Sequence, residues 1–393
     1  MNRRILHSDV QKFINEHLQD DIPRLILKKS PFNELSSKEL AEQVDSKKRC
    51  EFKLPLWFNS EGIYYPPKLS IEQASSEIAA KYKAELIKGD EIIDLTGGFG
   101  VDCLFFALKA DSVSHCELNK ELSEISKYNS EVLGVKVDYI ISDGIEYLRS
   151  SNKKFSTIYI DPSRRVESKK VFLLKDCEPD IVSNLELLKN HSNYILIKTA
   201  PLLDLQSTIR ELKSVSEIHV ISIKNECKEL LILIDNHETS EDPKITCAII
   251  GDQKKVYSFK LSEEKKYTIS NYSEPLNYIY EPDTALLKAG CFKLITRDFG
   301  VGKLHQHTHL YTSNELKESF PGRKFKVKRV WNFGQFLKEQ EIKKANIICR
   351  NFGLSPEELK KKLKIKDGGD EYLLFCTGFN DQLLVINCER IFE

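Results

Sequence analysis

The sequence predicts an α/β fold built on a largely parallel sheet, and three observations support this prediction. Residues 91–95 form a short apolar run, typical of a strand buried on both faces. Three glycines follow within residues 97–100, and a helical pattern covers residues 101–108. Apolar runs then alternate with helical patterns up to about residue 212, which is the order expected when helices connect parallel strands.

The elements on either side of this pattern differ from it. Residues 1–68 show helical periodicity interrupted by prolines. A helix is expected over residues 70–83, with Ser70 or Ser75 able to cap its first amides. After the parallel strands, two runs at residues 218–234 predict an antiparallel hairpin, which completes a sheet of seven strands. A second hairpin over residues 245–261 could extend that sheet.

The last third of the chain predicts small α+β domains. From about residue 271, prolines and short strands surround a predicted helix at residues 284–289, and strands and helices alternate in the final part. We therefore predict four domains, with boundaries at residues 1–68, 69–270, 271–324 and 325–393.

The composition is that of an ordinary soluble globular protein. Of 393 residues, 41% are hydrophobic and 30% are charged. No apolar run reaches the roughly 18 residues of a membrane span, and the first residues lack the apolar part of a secretory signal. The ten cysteines include no C-x-x-C pair, so we expect them to be reduced and buried. These features predict a cytoplasmic protein without a membrane partner.

Four acidic residues each follow an apolar strand pattern: Asp94, Glu117, Asp143 and Asp161. Ligands of open α/β sheets bind beyond the carboxyl ends of the strands, so these side chains are expected to converge on one site. Glycines before a helix let the backbone approach a ligand closely, and the first helical amides face that ligand. The pattern predicts a pocket for a nucleotide-type ligand.

The glycine spacing separates two ligand types. A dinucleotide-binding turn needs G-x-G-x-x-G, and Cys103 stands where the third glycine belongs. The acids Asp94, Glu117 and Asp143 instead resemble those of class I S-adenosylmethionine (SAM) methyltransferases. The resemblance implies an α/β, Rossmann-like fold and SAM as the cofactor, with Glu117 by the ribose hydroxyls and Asp143 by the adenine amine. The residues that it assigns to the cofactor are Gln73, Asp94, Thr96, Gly97, Gly98, Phe99, Gly100, Glu117, Leu118, Asp143 and Gly144.

A wider resemblance covers nearly the whole chain. Residues 69–77, 160–165, 176–180 and 345–352 look like bacterial methyltransferases that carry a C-terminal THUMP-like domain. This resemblance implies a ferredoxin-like module within our third domain and a THUMP-like fourth domain. THUMP domains bind structured RNA, so it also implies an RNA substrate by analogy.

The resemblance places Asp161, Pro162, Ser163 and Arg164 on the substrate side, next to the methyl group, as catalytic residues. Family members that methylate an exocyclic amine usually have a second proline and an aromatic residue where Ser163 and Arg164 stand, which puts such a target in doubt. Asp161 can still accept a hydrogen bond from a nucleophilic N–H. The alternative for Asp161 is a helix cap or an ion pair with Arg164.

Arg165 and Lys198 are assigned to substrate binding. Arginine can bind a phosphate or stack on a base, although Arg165 could equally be a solvated surface charge. Lys198 ends the next strand and would face the pocket, or it would form a structural ion pair with Asp161 or Glu178.

Two features near the C-terminus remain. Residues 323–366 contain 14 Lys and Arg against 4 Asp and Glu, and with Phe325, Trp331 and Phe333 interleaved they predict a nucleic-acid platform, with solvated helix faces as the alternative. On a strand, the alternating residues His305, His307 and His309 would share one face. No acid or cysteine accompanies them closely, so we expect an RNA contact or a surface strand and no metal.

The sequence thus predicts a SAM-dependent methyltransferase that modifies a base nitrogen in tRNA or rRNA. The alternatives are a small-molecule methyltransferase and a non-catalytic RNA-binding protein with a SAM-type fold. The sequence does not predict which RNA or nucleotide is modified, or the oligomeric state.

Overall fold

A computed structural model describes residues 1–164, 173–238, 241–269, 272–339 and 341–392. The chain divides into two compact units. The first comprises Met1–Ser216 and Leu231–Glu241, and the second comprises Glu217–Leu230 and Asp242–Glu393. Within the described ranges, every helix is too short or too polar to cross a membrane.

The first unit begins with helices, as predicted. They are a 3-10 helix (Arg3–Leu6), α1 (Ser8–Glu16), α2 (Ile22–Leu27), α3 (Ser37–Lys53), α4 (Pro55–Asn59), α5 (Lys68–Gln73) and α6 (Glu77–Ala84). A capping box begins α3: Ser36 Oγ accepts from the Glu39 amide, and the Glu39 carboxylate accepts from the Ser36 amide. Such caps contribute about 1 kcal/mol.

The single helix expected over residues 70–83 is divided between α5 and α6, so this prediction was wrong. Neither predicted cap is used, since the Ser76 hydroxyl accepts from the Ala79 amide at the start of α6. The break turns Ser75 into the interior, where its hydroxyl donates to Asp102. A polar side chain that looked like a helix cap is therefore part of a buried network.

Nine strands form the first sheet: β1 (Glu91–Asp94), β2 (Ser112–Glu117), β3 (Asp138–Ile141), β4 (Phe155–Ile160), β7 (Ser192–Thr199), β8 (Glu217–Ile223), β9 (Glu226–Asp235), β10 (Lys244–Ile250) and β11 (Lys254–Lys260). Their order is β11-β10-β8-β9-β7-β4-β1-β2-β3. Parallel pairing runs from β3 through β2, β1 and β4 to β7. β10 and β11 form the predicted second hairpin, and β10 pairs in parallel with β8.

Helices connect the parallel strands, as the alternating pattern predicted. They are α7 (Val101–Ala107), α8 (Lys120–Val132), α9 (Gly144–Ser150), α10 (Ile181–His191) and α11 (Leu205–Leu212), with a 3-10 helix at Leu174–Asp176. A short antiparallel pair, β5 (Ser163–Arg164) and β6 (Cys177–Glu178), follows the end of β4.

The second unit contains a seven-stranded sheet. Its strands are β12 (Tyr278–Pro282), β13 (Gly302–Lys303), β14 (Tyr311–Ser313), β15 (Gly322–Asn332), β16 (Asn346–Arg350), β17 (Glu371–Thr377) and β18 (Leu383–Ile391), in the order β13-β14-β12-β15-β18-β17-β16. The helices of this unit are α12 (Leu261–Lys266), α13 (Thr284–Ala289), α14 (Leu294–Phe299), α15 (Phe333–Glu339), α16 (Pro356–Leu363) and a 3-10 helix at Phe379–Asp381.

Two aromatic residues that were predicted to form an RNA platform are core residues. Phe325 is fully buried and Trp331 is 7% exposed. On β15, Lys324 and Phe325 are both buried and Lys326 is exposed. The prediction of a stacking surface at these two positions was wrong, because their rings pack inside the unit.

The three histidines lie between β13 and β14 and not on a strand. His309 stacks on Phe292, with ring centroids 3.8 Å apart, and His305 Nε2 lies 3.1 Å from the Asp381 carboxylate. Across the described residues, no group of three or more His, Cys, Asp or Glu side chains is arranged to hold a metal ion.

Candidate active site

A cavity of about 680 Å³ lies at the carboxyl ends of β1 to β4. The four strand-end acids converge on it as expected. Every residue that the sequence assigned to the cofactor lines this cavity, and so do Asp161, Pro162, Ser163 and Lys198. The structure therefore brings these predicted residues into one site, although their individual roles stay predictions.

The glycine turn after β1 is packed so closely that side chains would not fit. A Cβ on Gly97 would lie 2.3 Å from His115 Nε2, and a Cβ on Gly100 would lie 2.0 Å from Ser126 Oγ. Gly100 also has a φ of 78°, in the left-handed region that favours glycine. A ligand in the cavity can therefore approach the backbone of the turn closely. On its other side the turn packs against β2 and α8.

Asp94 and Thr96 connect the ends of two strands. The Asp94 carboxylate accepts from the Thr96 amide at 2.8 Å and from the Thr96 hydroxyl at 3.1 Å. That hydroxyl in turn accepts from the Asp161 amide at 2.7 Å. Asp94 is 2% exposed, and burial raises its pKa to about 7. One threonine hydroxyl thus fixes the end of β4 relative to the end of β1.

Backbone amides hold the next two acids at the cavity. Glu117 accepts from the Gly98 amide at 2.8 Å and from the Asn119 amide at 2.7 Å. Asp143 caps α9 by accepting from two amides of its first turn, at 2.9 and 3.0 Å. Both carboxylates are therefore fixed acceptors before any ligand binds.

The substrate side is built around an ion pair. Lys198, at the end of β7, pairs with the Asp161 carboxylate, which is one of the two arrangements that the sequence left open for this lysine. Ser163 Oγ donates to the Glu178 carbonyl at 3.4 Å. Glu178 and Pro179 also line the cavity, and our assignment had not included them.

Two predicted residues can be placed only in part. The backbone of Arg164 pairs with Cys177 between β5 and β6, and its side chain lies outside the described residues. Arg165 lies entirely outside them. The roles proposed for both arginines therefore stay predictions.

A buried network in the wall of the cavity, to which Ser75, Asp102 and Tyr159 belong, was missed by the sequence reasoning. Lys83, fully buried at the end of α6, pairs with Asp102 in the first turn of α7 at 2.9 Å. Asp102 also accepts from the Ser75 hydroxyl at 2.7 Å and the Tyr159 hydroxyl at 2.9 Å. Burial acts to raise the pKa of Asp102, but the charges of Lys83 and Lys198 and the hydrogen bonds from Lys83 and Ser75 together outweigh it, and the pKa lies below its ordinary value. The one signal in the sequence was a charged residue inside the apolar run of α7.

Two family profiles match the second unit. A profile described as a ferredoxin-like domain matches residues 278–321, and one described as THUMP domain-like matches residues 322–390.

One solved structure matches over the whole chain. It is the crystal structure of a proposed methyltransferase from Porphyromonas gingivalis W83. The two chains are 30% identical, the TM-score is 0.88, and the match covers 100% of each chain.

Two other similarities are narrower. A curated protein of Mycoplasma mobile, described as an uncharacterized RNA methyltransferase, is 36% identical over 77 residues, which are 19% of this chain. The match spans 21% of that relative. The tRNA (uracil-54, C5)-methyltransferase of Pyrococcus abyssi, solved with S-adenosyl-L-homocysteine, is 17% identical over 44% of this chain and 40% of that chain, with a TM-score of 0.30. At that score, the match carries no argument about function.

Proposed function

The chain belongs to the bacterial class I SAM-dependent methyltransferases that carry a C-terminal THUMP-like domain, and we propose that it methylates a base nitrogen in tRNA or rRNA. The observation that supports this most strongly is the convergence of the glycine turn, Glu117, Asp143 and Asp161 on one cavity. Open α/β folds bind their ligands at the carboxyl ends of their parallel strands.

The residues of the cavity fit SAM. Close packing under Gly97 and Gly100 leaves a bare backbone for the amino-acid part of the cofactor. Glu117 and Asp143 present fixed acceptors to the hydroxyl and amine donors of an adenosine. In this proposal, Gln73, Asp94, Thr96, Phe99, Leu118 and Gly144 complete the cofactor site.

Asp161 is the residue that we propose to act on the substrate. SAM, when bound, supplies a methyl carbon that its sulfonium has already activated, so the protein needs mainly to orient the nucleophile and accept its proton. Lys198 and Thr96 hold Asp161 from two sides, which fixes the direction from which a nitrogen N–H can donate to it. In this proposal Pro162 and Ser163 shape the wall beside the nucleophile, and Arg164 and Arg165 contact RNA phosphates.

The THUMP-like match supports RNA as the substrate. The curated relative described as an RNA methyltransferase points the same way over its short match. Several lysines between residues 326 and 364 are exposed and suit phosphate contacts. Because Ser163 and Arg164 replace the proline and aromatic residue of exocyclic-amine enzymes, we favour a ring nitrogen as the target.

We also propose that the protein works in the cytoplasm. All ten cysteines are free thiols, and seven of them are buried, which suits a reducing compartment. The domain boundaries at residues 68, 270 and 324 stay predictions.

The proposal is tested by titrating the protein calorimetrically with S-adenosylhomocysteine and then measuring tritium transfer from SAM to total RNA. We expect binding, with label in one RNA fraction. Binding without labelled RNA would favour a small-molecule substrate or a non-catalytic RNA binder, and absence of binding would contradict the cofactor assignment itself.

A further inference from the structure

A second cavity, of about 800 Å³, lies among the N-terminal helices. It is lined by residues of α1, α3 and α4 and of the segment after α4, and it shares no residue with the candidate active site. The proposed methyltransferase function does not explain this cavity.

Lys47 is the unusual residue of the cavity wall. It is 6% exposed and lies on the apolar face of α3, three and seven positions after Val44 and Leu40, which are both buried. Helix positions at this spacing normally hold core side chains. A lysine there places an ammonium group where the fold would accept a hydrophobic residue.

The other buried polar side chains of α3 have structural partners. Gln43 exchanges two hydrogen bonds with the backbone of Tyr65, at 2.7 and 3.0 Å, and Ser46 donates to the Pro66 carbonyl at 2.8 Å. Gln43 and Ser46 therefore hold the backbone of Tyr65 and Pro66 against α3.

Lys47 has a different environment. Its Nζ donates to the neutral amide oxygen of Asn15 at 2.6 Å and lies 5.6 and 5.9 Å from the ring centroids of Phe58 and Tyr65. Within the described part of the chain, no carboxylate lies within 4 Å of it. Asn15 and Phe58 also line the cavity.

A buried ammonium without a counter-ion is costly to the fold. Desolvation of such a charge is expensive even in relaxed proteins, and an amide and two rings offset it only in part. Burial accordingly lowers the pKa of Lys47. An anion entering the cavity would supply the missing charge partner.

We propose that this cavity binds the phosphate group of a nucleotide, with Lys47 as its charge partner. The side-chain amides of Gln11 and Asn59 line the same space. Each keeps one N–H beyond the one that it donates to a backbone carbonyl, and that N–H can donate to a phosphate. The partly exposed Phe58 ring also lines this space, and in this proposal it contacts the base.

The other charges in the cavity do not replace this partner. Lys12 pairs with Glu16 at 3.8 Å, so these two charges offset each other. The Glu61 carboxylate attracts Lys47 and acts to raise its pKa, but burial outweighs this effect. Glu61 is exposed, so solvent and salt screen its charge. Of the charged residues that line this cavity, Lys47 is the one that is buried.

The nucleotide could be free or part of the RNA substrate, and the second case rests on the proposed function. Calorimetric titration of the full chain with adenosine monophosphate and with a short RNA oligonucleotide distinguishes the two. We compare wild type with Lys47→Met and, as a control on the same helix, with Lys48→Met, since Lys48 is exposed.

We expect wild type and Lys48→Met to bind one of the two probes. Lys47→Met should bind the same probe with an affinity that is lower by about tenfold or more. Binding of the monophosphate identifies a free nucleotide, and binding of the oligonucleotide alone identifies RNA. Equal affinity in Lys47→Met, or no binding of either probe, would overturn the proposal.

Thermal unfolding separates a ligand-binding role from a structural one. If Lys47 serves a ligand, Lys47→Met folds and unfolds at the same temperature as wild type or a higher one, because a buried charge has been removed. A lower unfolding temperature would show that Lys47 supports the fold and would contradict the proposal. Titration with S-adenosylhomocysteine should give wild-type affinity in both variants, so a failed cofactor assignment would be recognised separately.

Discussion

The candidate active site and the basic segment of residues 323–366 use charge in opposite ways. In the active site, Asp94, Glu117 and Asp143 are each held by amide donors at 2.7 to 3.0 Å. In the basic segment, exposed lysines such as Lys361 and Lys362 stand on a helix surface without such fixing. The first arrangement selects one ligand shape, whereas the second attracts a polyanion of any sequence.

This difference predicts how each region responds to mutation. Removing one fixed group leaves the amides that donate to it unpaired, so single changes in the active site should have large effects. Charges on an exposed helix contribute small and similar increments, so several must change together.

The largest effect is expected for Asp161→Ala. Loss of the group that accepts the nucleophile's proton should lower methyl transfer by about 10²- to 10⁴-fold, while affinity for S-adenosylhomocysteine stays nearly unchanged. Single-turnover transfer and calorimetry measure the two quantities. Asp161→Asn, which keeps the shape beside Lys198, is the control for folding. If both variants lose affinity for S-adenosylhomocysteine, Asp161 contacts the cofactor and its assignment to the substrate is wrong.

Breaking the buried pair beside the cavity should mainly affect stability. Lys83→Met leaves Asp102 charged and buried, and we expect a loss of about 3–5 kcal/mol in the free energy of unfolding. Urea unfolding measures it. The exposed Lys120, which pairs with the exposed Glu124 at 4.0 Å, is the matched control, and Lys120→Met should cost about 1 kcal/mol or less. Similar losses in the two variants would show that burial of the Lys83 pair has no special weight.

The glycine turn tests how strictly the cofactor site is shaped. Gly100→Ala would place its Cβ 2.0 Å from Ser126 Oγ, and we expect affinity for S-adenosylhomocysteine to fall by about ten- to a hundredfold as the turn shifts. Gly134 has a similar positive φ, 70°, but no atom within 4 Å of its Cβ position. Gly134→Ala therefore carries the backbone strain without the overlap and should bind normally. Equal binding by both variants would mean that the turn adapts.

A smaller effect should appear as a pH dependence of stability. Asp94 has a pKa raised to about 7 by burial, so the folded state keeps a proton that the unfolded chain releases near pH 4. This contribution to stability is present at low pH and is lost as the pH rises towards 7, by up to about 1.4 kcal/mol per pH unit. Asp94→Asn should therefore gain stability relative to wild type between pH 5 and 7. A difference that does not vary with pH in urea unfolding would contradict the raised pKa.

The smallest effect per residue is expected in the basic segment. Reversing Lys361, Lys362 and Lys364 to Glu should weaken RNA binding and reduce the salt dependence of log K by about 0.7 to 0.9 for each RNA phosphate that the protein no longer neutralises. Fluorescence anisotropy at several salt concentrations measures both. The control reverses three exposed lysines of the first unit, Lys109, Lys120 and Lys127. An equal weakening in the control would remove any special role of the C-terminal segment.

Much of the active site could be predicted because topology alone determines it. Parallel strands end at one edge of the sheet, so Asp94, Glu117, Asp143 and Asp161 had to meet once the alternation of strands and helices was recognised. The cap of α16 is likewise local: Ser355 is followed by Pro356 and then by Glu358, which is a typical helix start, and the structure has a capping box there.

The rest depended on packing that a single sequence does not show. Lys83 and Asp102 each lie at a helix end, where charges are usually solvated, and their pairing depends on how α6 meets α7. Phe325 and Trp331 were misinterpreted because charged residues surround them in the sequence, although both rings are buried. Lys47 lies on a helix rich in charged residues, and its spacing from Leu40 and Val44 is the one sign in the sequence that it is internal.

The contact between the glycine turn and the histidine beneath it also constrains how this protein can evolve. The ring of His115 occupies the space that any side chain at position 97 would need. Substitution of Gly97 by a larger residue therefore requires that a smaller residue first replaces His115. The change His115→Ala should make Gly97→Ala tolerable. Relatives that lack the glycine should therefore also lack the histidine.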